Sequence, residues 1–301
     1  MGKGSKSAEM CCNSRGGIKG ALPWFVKIPA KIVLSRLPIS LRTWQKMNLF
    51  RAGAADLPGF QFGVFKAHLA GCGLQTLEAK TVLEIGPGNA LLTALFASAL
   101  GASHTWLIDA ANLAEQDLRT FASAAEFLRA EGFNPPAISS NESVSSQLRY
   151  TYLTGGLDSL RNVPSASIDF LFSQAVMEHV RLAEFDDVAR EMRRVLKPDG
   201  AASHWIDFRD HLQYALNNLR FSEKIWESDF MANSGFYTNR IPFSAMKRRF
   251  EEAGFAAEAA SEERWPSGLP TAQSKMAPPF QVMPPDELMV MHAHVVLHPV
   301  L

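Results

Sequence analysis

Two carboxylates and a glycine turn lie close together in the sequence and could bind a positively charged ligand. Glu84 lies in a short apolar run, Gly86-Pro87-Gly88 follows it, and Asp109 comes about twenty residues later. A glycine turn at the end of a strand lets a ligand approach the backbone, because no Cβ stands in the way. An acid just before that turn would repel a diphosphate, whereas it suits a ligand that carries an ammonium or sulfonium cation.

The residues around the turn predict a strand, the turn and then a helix. An apolar β-branched run spans 81–85, and apolar residues at helical spacing follow over about 89–100. Asp109 ends a second apolar run, where a carboxylate can accept hydrogen bonds from both hydroxyls of a ribose. A dehydrogenase would use the same acid, and a simple helix cap would also fit, so Asp109 indicates an adenosine ligand without naming it.

At this turn the chain resembles the class I S-adenosylmethionine-dependent methyltransferases, whose first motif is an acid followed by spaced glycines. Ala90 replaces the third glycine of that motif. The resemblance implies an α/β fold, a Rossmann-like doubly wound sheet of seven strands in the order 3-2-1-4-5-7-6, with the last strand antiparallel. It also implies S-adenosylmethionine as the cofactor, with contacts from Glu84, Gly86, Pro87, Gly88 and Asp109.

A second block carries the more specific part of the resemblance, which covers about residues 80–208. Strand four is predicted over 167–172, a Glu-His-Val helix start follows it, and the sequence Lys197-Pro-Asp-Gly200 predicts a turn before strand five at 201–207. Dehydrogenases do not show this turn in this setting. Three further cofactor contacts are expected from the resemblance: Asp158, near the adenine amino group, and Ser173 and Gln174, just past strand four.

Methyl transfer to an oxygen of high pKa also needs a base. His179, at the helix start after strand four, is the first candidate. His211 is the second, because Asp207 lies four residues before it and would share its face if the segment is helical. Either group could instead be structural, His179 by bonding to a neighbouring loop and Asp207 by facing water at a strand end.

No metal site is expected. In related quinone-pathway O-methyltransferases, a Glu-x-x-Glu-His sequence at this place helps to hold a divalent cation. Ala175 occupies the first of those Glu positions here, so one ligand is missing.

Charge and composition indicate a leader at 1–20 that is predicted to be disordered and a basic helical extension at 21–78, and the resemblance implies a methyltransferase domain at 79–301. Residues 1–51 hold ten Lys or Arg and one Glu. The interleaved aromatic and basic residues of 21–51 could contact an anionic membrane surface or pack over the catalytic domain. A turn at 56–60, a helix over 61–78 and a helical substrate lid over about 208–243 are also predicted.

Bulk properties exclude several classes of function. The net formal charge is zero, which gives no reason to expect a nucleic-acid partner. Three cysteines make neither a disulfide framework nor a metal cluster and favour a reducing compartment. No apolar run approaches the roughly 20 residues of a membrane span, and no secretory signal is evident, so we expect a cytoplasmic protein, with peripheral membrane contact as the open alternative.

The sequence therefore predicts methyl transfer from S-adenosylmethionine to a small-molecule acceptor, a hydroxyl on a sugar or polysaccharide precursor or on an aromatic. Two alternatives stay open. The same fold could lack methyltransferase activity, as a binding module or in aminopropyl transfer, although the latter would call for acids where Ser173 and Gln174 stand. A nicotinamide-dependent oxidoreductase is the other, against which Glu84 and Ala90 argue.

Overall fold

The computed structural model describes residue 25 and residues 57–114, 117–139 and 143–300. The predicted leader at 1–20 and, apart from Phe25, the basic segment at 21–51 with its possible membrane contact lie outside these ranges. Within them, no helix combines the length and the apolar character needed to cross a lipid bilayer.

One mixed sheet forms the centre of the domain. Its strands are β1 (Thr81–Ile85), β2 (His104–Ile108), β3 (Tyr150–Leu153), β4 (Ile168–Gln174), β5 (Leu196–Asp207), β6 (Phe255–Arg264) and β7 (Val290–Pro299). Their spatial order is β3-β2-β1-β4-β5-β7-β6. β7 runs antiparallel between β5 and β6, and the remaining pairs are parallel. The predicted seven-stranded Rossmann-like topology is therefore confirmed.

Helices cover both faces of this sheet. They are α1 (Pro58–Gly71), α2 (Leu92–Ala99), α3 (Leu118–Ala130), α4 (Val144–Gln147), α5 (Leu157–Arg161), α6 (Phe185–Val195), α7 (Glu223–Trp226), α8 (Asp229–Ala232), α9 (Phe243–Glu252) and α10 (Pro278–Gln281). Short 3₁₀ turns occur at Asn217–Arg220, Gln273–Lys275 and Pro285–Leu288.

The central strand β1 carries apolar side chains on both faces, because helices cover both faces of the sheet. Val82 enters a core that β4 shares with α1, α2 and α3. Leu83 points the other way, into a core that is closed by α6 and α9. Successive side chains of a strand alternate between faces, so a continuous apolar run such as 81–85 fits a parallel strand covered by helices on each side.

The structure corrects the predicted start and end of the first helix. We expected a turn at 56–60 and a helix over 61–78, whereas α1 begins at Pro58 and ends at Gly71. Proline is favoured at the first helical position, where no backbone N–H is needed. The helix closes because Gly73 adopts φ of 68° and the N–H of Leu74 donates to the carbonyl of Leu69.

The predicted turn at 197–200 is instead the irregular first part of β5. Between two paired positions β4 advances from Ile168 to Phe170, while β5 advances from Leu196 to Ala201. Lys197 Nζ lies 2.8 Å from Asp169 Oδ2, which ties the start of β5 to β4. A bulge of this kind takes up extra residues and re-aims the strand that contains it.

The predicted lid at 208–243 is only partly helical. Its short helices α7 and α8 pack around a small core of their own, formed by Leu212, Trp226, Met231, Phe236 and Tyr237. A second segment, 265–289, packs against it through apolar contacts that the sequence analysis did not foresee. Trp226 and Tyr237 are buried in this core, which leaves neither ring available for a ligand to stack on.

Candidate active site

The glycine turn after β1 is fixed by two different constraints. Gly86 donates its N–H to the carbonyl of Ile108 at 2.7 Å and has φ of 77°. A Cβ on Gly86 would lie 2.4 Å from Cγ2 of Val176, so the loop after β4 packs directly on this glycine. Gly88 has φ of 68°, and a Cβ there would meet no atom within 4 Å. The backbone at Gly88 therefore has open space beside it, which a ligand can occupy.

Glu84 and Asp109 lie beside this turn, and both are more than nine-tenths buried. Asp109 accepts hydrogen bonds from the N–H of Ala110 at 2.7 Å and from the N–H of Gly88 at 3.3 Å. Burial raises the pKa of Glu84 to about 7, a hydrogen bond from Thr93 opposes this rise, and the nearby Asp109 charge adds to it. Burial also raises the pKa of Asp109. The pair is therefore poised for a cationic ligand.

The end of β4 places its two polar candidates, Ser173 and Gln174, differently. Ser173 is fully buried, and its hydroxyl bonds to His204 Nδ1 at 2.8 Å inside the domain, which makes this hydroxyl unavailable to a ligand in the cleft. Gln174 is half-buried, and its Oε1 lies 3.0 Å from Nε2 of His68 on α1. Ala175 follows with φ of 52°, a conformation that costs energy for a residue with a Cβ and that often marks functional sites.

Asp158 lies in the first turn of α5, and its side chain is 84% exposed and paired with Arg161 at 2.9 Å. The loop just before it adjoins the cleft, because the N–H of Gly156 donates to the carbonyl of Asp109 at 2.9 Å. A contact between Asp158 and a bound adenine stays a prediction.

The two candidate bases meet in the folded chain. The rings of His179 and His211 lie with centroids 4.8 Å apart, edge to face. His179 Nδ1 is 2.8 Å from the backbone carbonyl of Tyr237, in the 208–243 segment. Since a carbonyl can only accept, Nδ1 carries the proton of the neutral ring and Nε2 is its basic nitrogen. The sequence separation of 32 residues gave no sign of this pairing.

Asp207 does not share a helical face with His211, because β5 ends at Asp207 and a turn follows. Its carboxylate instead takes hydrogen bonds from Arg209, at 2.8 and 3.0 Å, and an ion pair with His292 lies at 3.5 Å. Burial alone would raise the pKa of Asp207, but His292 and Arg209 outweigh it and hold that pKa well below its ordinary value. The expected orientation of His211 by Asp207 is therefore wrong.

Glu178, which directly precedes His179, is almost fully buried. Its Oε1 accepts from the N–H of Asp207 at 3.3 Å, and Oε2 has no hydrogen-bond partner among the described residues. Burial raises its pKa well above the ordinary value. It lines a cavity of about 30 Å³ that the ends of β5 and β7 form with the 208–243 segment. Across 57–114, 117–139 and 143–300 no cluster of His, Cys, Asp or Glu could hold a metal ion.

The two buried acids, the glycine turn and Gln174 lie together at the carboxyl edge of β1, β2 and β4, and the turn faces open space at Gly88; this edge is the candidate cleft. Residues 83–203 of the chain match the family described as "Methyltransferase domain". The chain contains a methyltransferase domain, and its sheet has the strand order that the resemblance to class I S-adenosylmethionine-dependent methyltransferases implied. The cleft fits this cofactor, since its acids complement an ammonium group and ribose hydroxyls while the turn leaves room for the backbone to be approached.

Solved structures with a similar fold include two methyltransferases. An S-adenosylmethionine dependent methyltransferase from Mesorhizobium loti is 18% identical, with 81% of this chain and 98% of that chain covered and a TM-score of 0.43. Phosphoethanolamine N-methyltransferase 2 of Haemonchus contortus, in complex with S-adenosyl-L-methionine, is 16% identical, with 79% and 52% covered and a TM-score of 0.42. No curated protein matches the sequence.

The two glycines of the turn should respond differently to a Cβ. We expect Gly86→Ala to lower the free energy of unfolding by about 3 kcal/mol, because it combines a left-handed φ with a clash against Val176. Gly88→Ala adds only the conformational strain, about 1 to 2 kcal/mol. Urea denaturation of both variants measures the difference. Equal losses would contradict the role assigned to Val176.

Proposed function

We propose that this methyltransferase acts on a hydroxyl group of a small molecule, such as a sugar precursor of a polysaccharide or an aromatic. The geometry of His179 carries the proposal, because the Tyr237 carbonyl holds Nδ1 as the donor and keeps Nε2 basic in an exposed ring. A hydroxyl of high pKa must lose its proton as it is methylated, so a basic nitrogen here suits an oxygen acceptor. The zero net charge supports a small acceptor over a nucleic acid.

S-adenosylmethionine supplies a methyl group that is already activated on a sulfonium. In this proposal Glu84 binds the ammonium group of the methionyl end, and Asp109 accepts hydrogen bonds from the ribose hydroxyls. The turn at Gly86-Pro87-Gly88 lets the backbone come close, and Asp158 turns toward the adenine amino group. The chain then has mainly to align the acceptor with the methyl carbon and exclude water, since alignment is the largest remaining contribution.

The 208–243 segment has two roles in this proposal. Its backbone carbonyl at Tyr237 sets the orientation of His179, and its His211 ring packs against the His179 ring. The same segment covers the cavity beside Glu178, at the ends of β5 and β7. The segment would thus both orient His179 and cover the bound acceptor. Closing over the acceptor would therefore also place the base correctly.

Cofactor binding gives the first test. We expect S-adenosylhomocysteine to bind the full chain and Asp109→Ala to weaken it by about 10- to 100-fold, since hydrogen bonds to a charged group are lost. Isothermal calorimetry with S-adenosylhomocysteine and with NAD measures this. Asp117→Ala is the matched control, because it removes a carboxylate that caps the next helix and should leave affinity unchanged. Binding of NAD in place of S-adenosylhomocysteine would refute the assignment.

The raised pKa of Glu84 predicts how binding depends on pH. Below about 7 the free protein carries a proton on Glu84. An ammonium group favours the carboxylate, so binding must then expel this proton, and the Kd should rise about 10-fold per pH unit as pH falls below 7. Above pH 8 the Kd should no longer change with pH. Calorimetry of S-adenosylhomocysteine in buffers of different ionisation enthalpy counts the protons released. A release that persists in Glu84→Gln would show that another group titrates.

The proposed base is tested by His179→Asn. The asparagine amide can still donate to the Tyr237 carbonyl, but the basic nitrogen is gone. We expect kcat to fall about 10²- to 10⁴-fold while S-adenosylhomocysteine affinity stays the same. Rates are measured with an acceptor found by screening hydroxyl compounds for transfer of a radiolabelled methyl group. The parallel His211→Asn variant discriminates, because a loss confined to it would assign the base to His211 instead.

A further inference from the structure

A buried chain of hydrogen bonds connects α1 to the end of β4. His68 Nδ1 lies 2.7 Å from Ser203 Oγ, and Ser203 Oγ lies 2.7 Å from His294 Nε2. On the other side of the His68 ring, Nε2 lies 3.0 Å from Gln174 Oε1. His68 is 2% exposed and Ser203 is fully buried, so the middle of the chain is closed to solvent. It joins one helix, α1, and two strands, β5 and β7, to the side chain of Gln174 at the end of β4.

The orientation of the Gln174 amide determines where the protons of these hydrogen bonds lie. Burial, together with the neighbouring His294, lowers the pKa of His68 to about 3, so the ring is neutral at neutral pH and carries one N–H. The amide oxygen of Gln174 can only accept, which places that proton on Nε2. Nδ1 then accepts from the Ser203 hydroxyl, whose oxygen accepts from His294 Nε2. The reverse direction is equally complete, but it would need the amide of Gln174 turned round.

This direction decides what Gln174 presents to a ligand. Its oxygen is engaged by His68, which leaves the NH₂ group as the donor. Gln174 follows Ser173, which pairs with Ile85 directly before the glycine turn. The NH₂ donor and the Glu84 carboxylate thus stand on adjacent strands, and they complement the two charged groups of an amino acid, a carboxylate and an ammonium.

We infer that His68, supported by Ser203 and His294, is a positioning residue that holds the Gln174 amide with its NH₂ group toward the carboxylate of the cofactor's methionyl end. The inference rests on the proposed mode of cofactor binding. Its geometry depends on a close approach of α1, because a Cβ on Gly71 would lie 2.7 Å from Cε1 of His294. His68 thus acts through Gln174 and touches no ligand itself.

The proton positions can be measured directly. In the full chain labelled with ¹⁵N, two-bond ¹⁵N–¹H correlation spectra distinguish the two neutral forms of a histidine. We expect His68 to be protonated at Nε2 at neutral pH. Protonation at Nδ1 would overturn the inference, because the amide oxygen of Gln174 would then face the cleft. This measurement needs no ligand, so it stands whether or not the proposed function does.

The ligand contact is tested with a pair of variants on α1. His68→Phe keeps a ring beside Phe172 but removes the hydrogen bonds to Ser203 and Gln174. Phe65→Leu alters the packing on the same Phe172 and leaves those hydrogen bonds intact. The probes are S-adenosylhomocysteine and 5′-methylthioadenosine, which lacks the amino acid end. By calorimetry, His68→Phe should weaken S-adenosylhomocysteine about 10-fold and leave 5′-methylthioadenosine unchanged, while Phe65→Leu should change neither.

The other outcomes are distinct. Equal weakening of both probes by His68→Phe would show a packing role only and would overturn the inference. Unchanged affinity for S-adenosylhomocysteine would do the same, with the proposed function intact. Failure of the wild-type chain to bind either probe would instead refute the proposed function. Ser203→Ala cuts the chain one bond further from Gln174 with little change in volume, so it decides the matter if His68→Phe does not fold.

Discussion

Two carboxyl groups buried side by side at the end of a parallel sheet constrain the rest of this structure. Glu84 lies on β1 and Asp109 directly follows the paired strand β2, and the causes of their raised pKa values include no basic side chain of the described residues. Burying like charges without a partner is costly, so natural chains keep such sites where a cation or hydrogen-bond donor arrives. The glycine turn beside them has open space at Gly88, so a ligand with complementary groups can approach the two acids.

Packing around the sheet connects the two acids and the glycine turn to more distant elements. Val176, in the loop after β4, occupies the space that a Cβ on Gly86 would need, so the turn and the loop determine each other's position. α1 packs on the same strand through Phe65 and His68 and reaches the end of β4 through Gln174. A helix that precedes the domain's first strand is thereby coupled to the end of β4, beside the glycine turn. The 208–243 segment packs around a separate core of its own.

The strand, glycine turn and acids around which the candidate site is built could be predicted from sequence, because they depend on local chemistry. An apolar run, a glycine turn and an acid at the end of the next strand are each read within a few residues. The contacts inside the site were harder to predict from sequence. A Ser hydroxyl at position 173 gives no sign of whether it faces a ligand or a buried histidine such as His204. Ala175 has φ of 52° although alanine has no preference for that region, so only its surroundings impose it.

The sequence by itself determined the central strands, the glycine turn and the two acids, because strand periodicity and glycine conformations are local properties of the chain, whereas the sheet order was implied by the family resemblance. Only the tertiary structure decided the partners of the polar side chains. Asp207 bonds to Arg209 and His292 rather than orienting His211, and His211 packs instead against His179. Such pairings join residues far apart in sequence, and they follow from how the helices and loops pack over the sheet, which no short motif encodes.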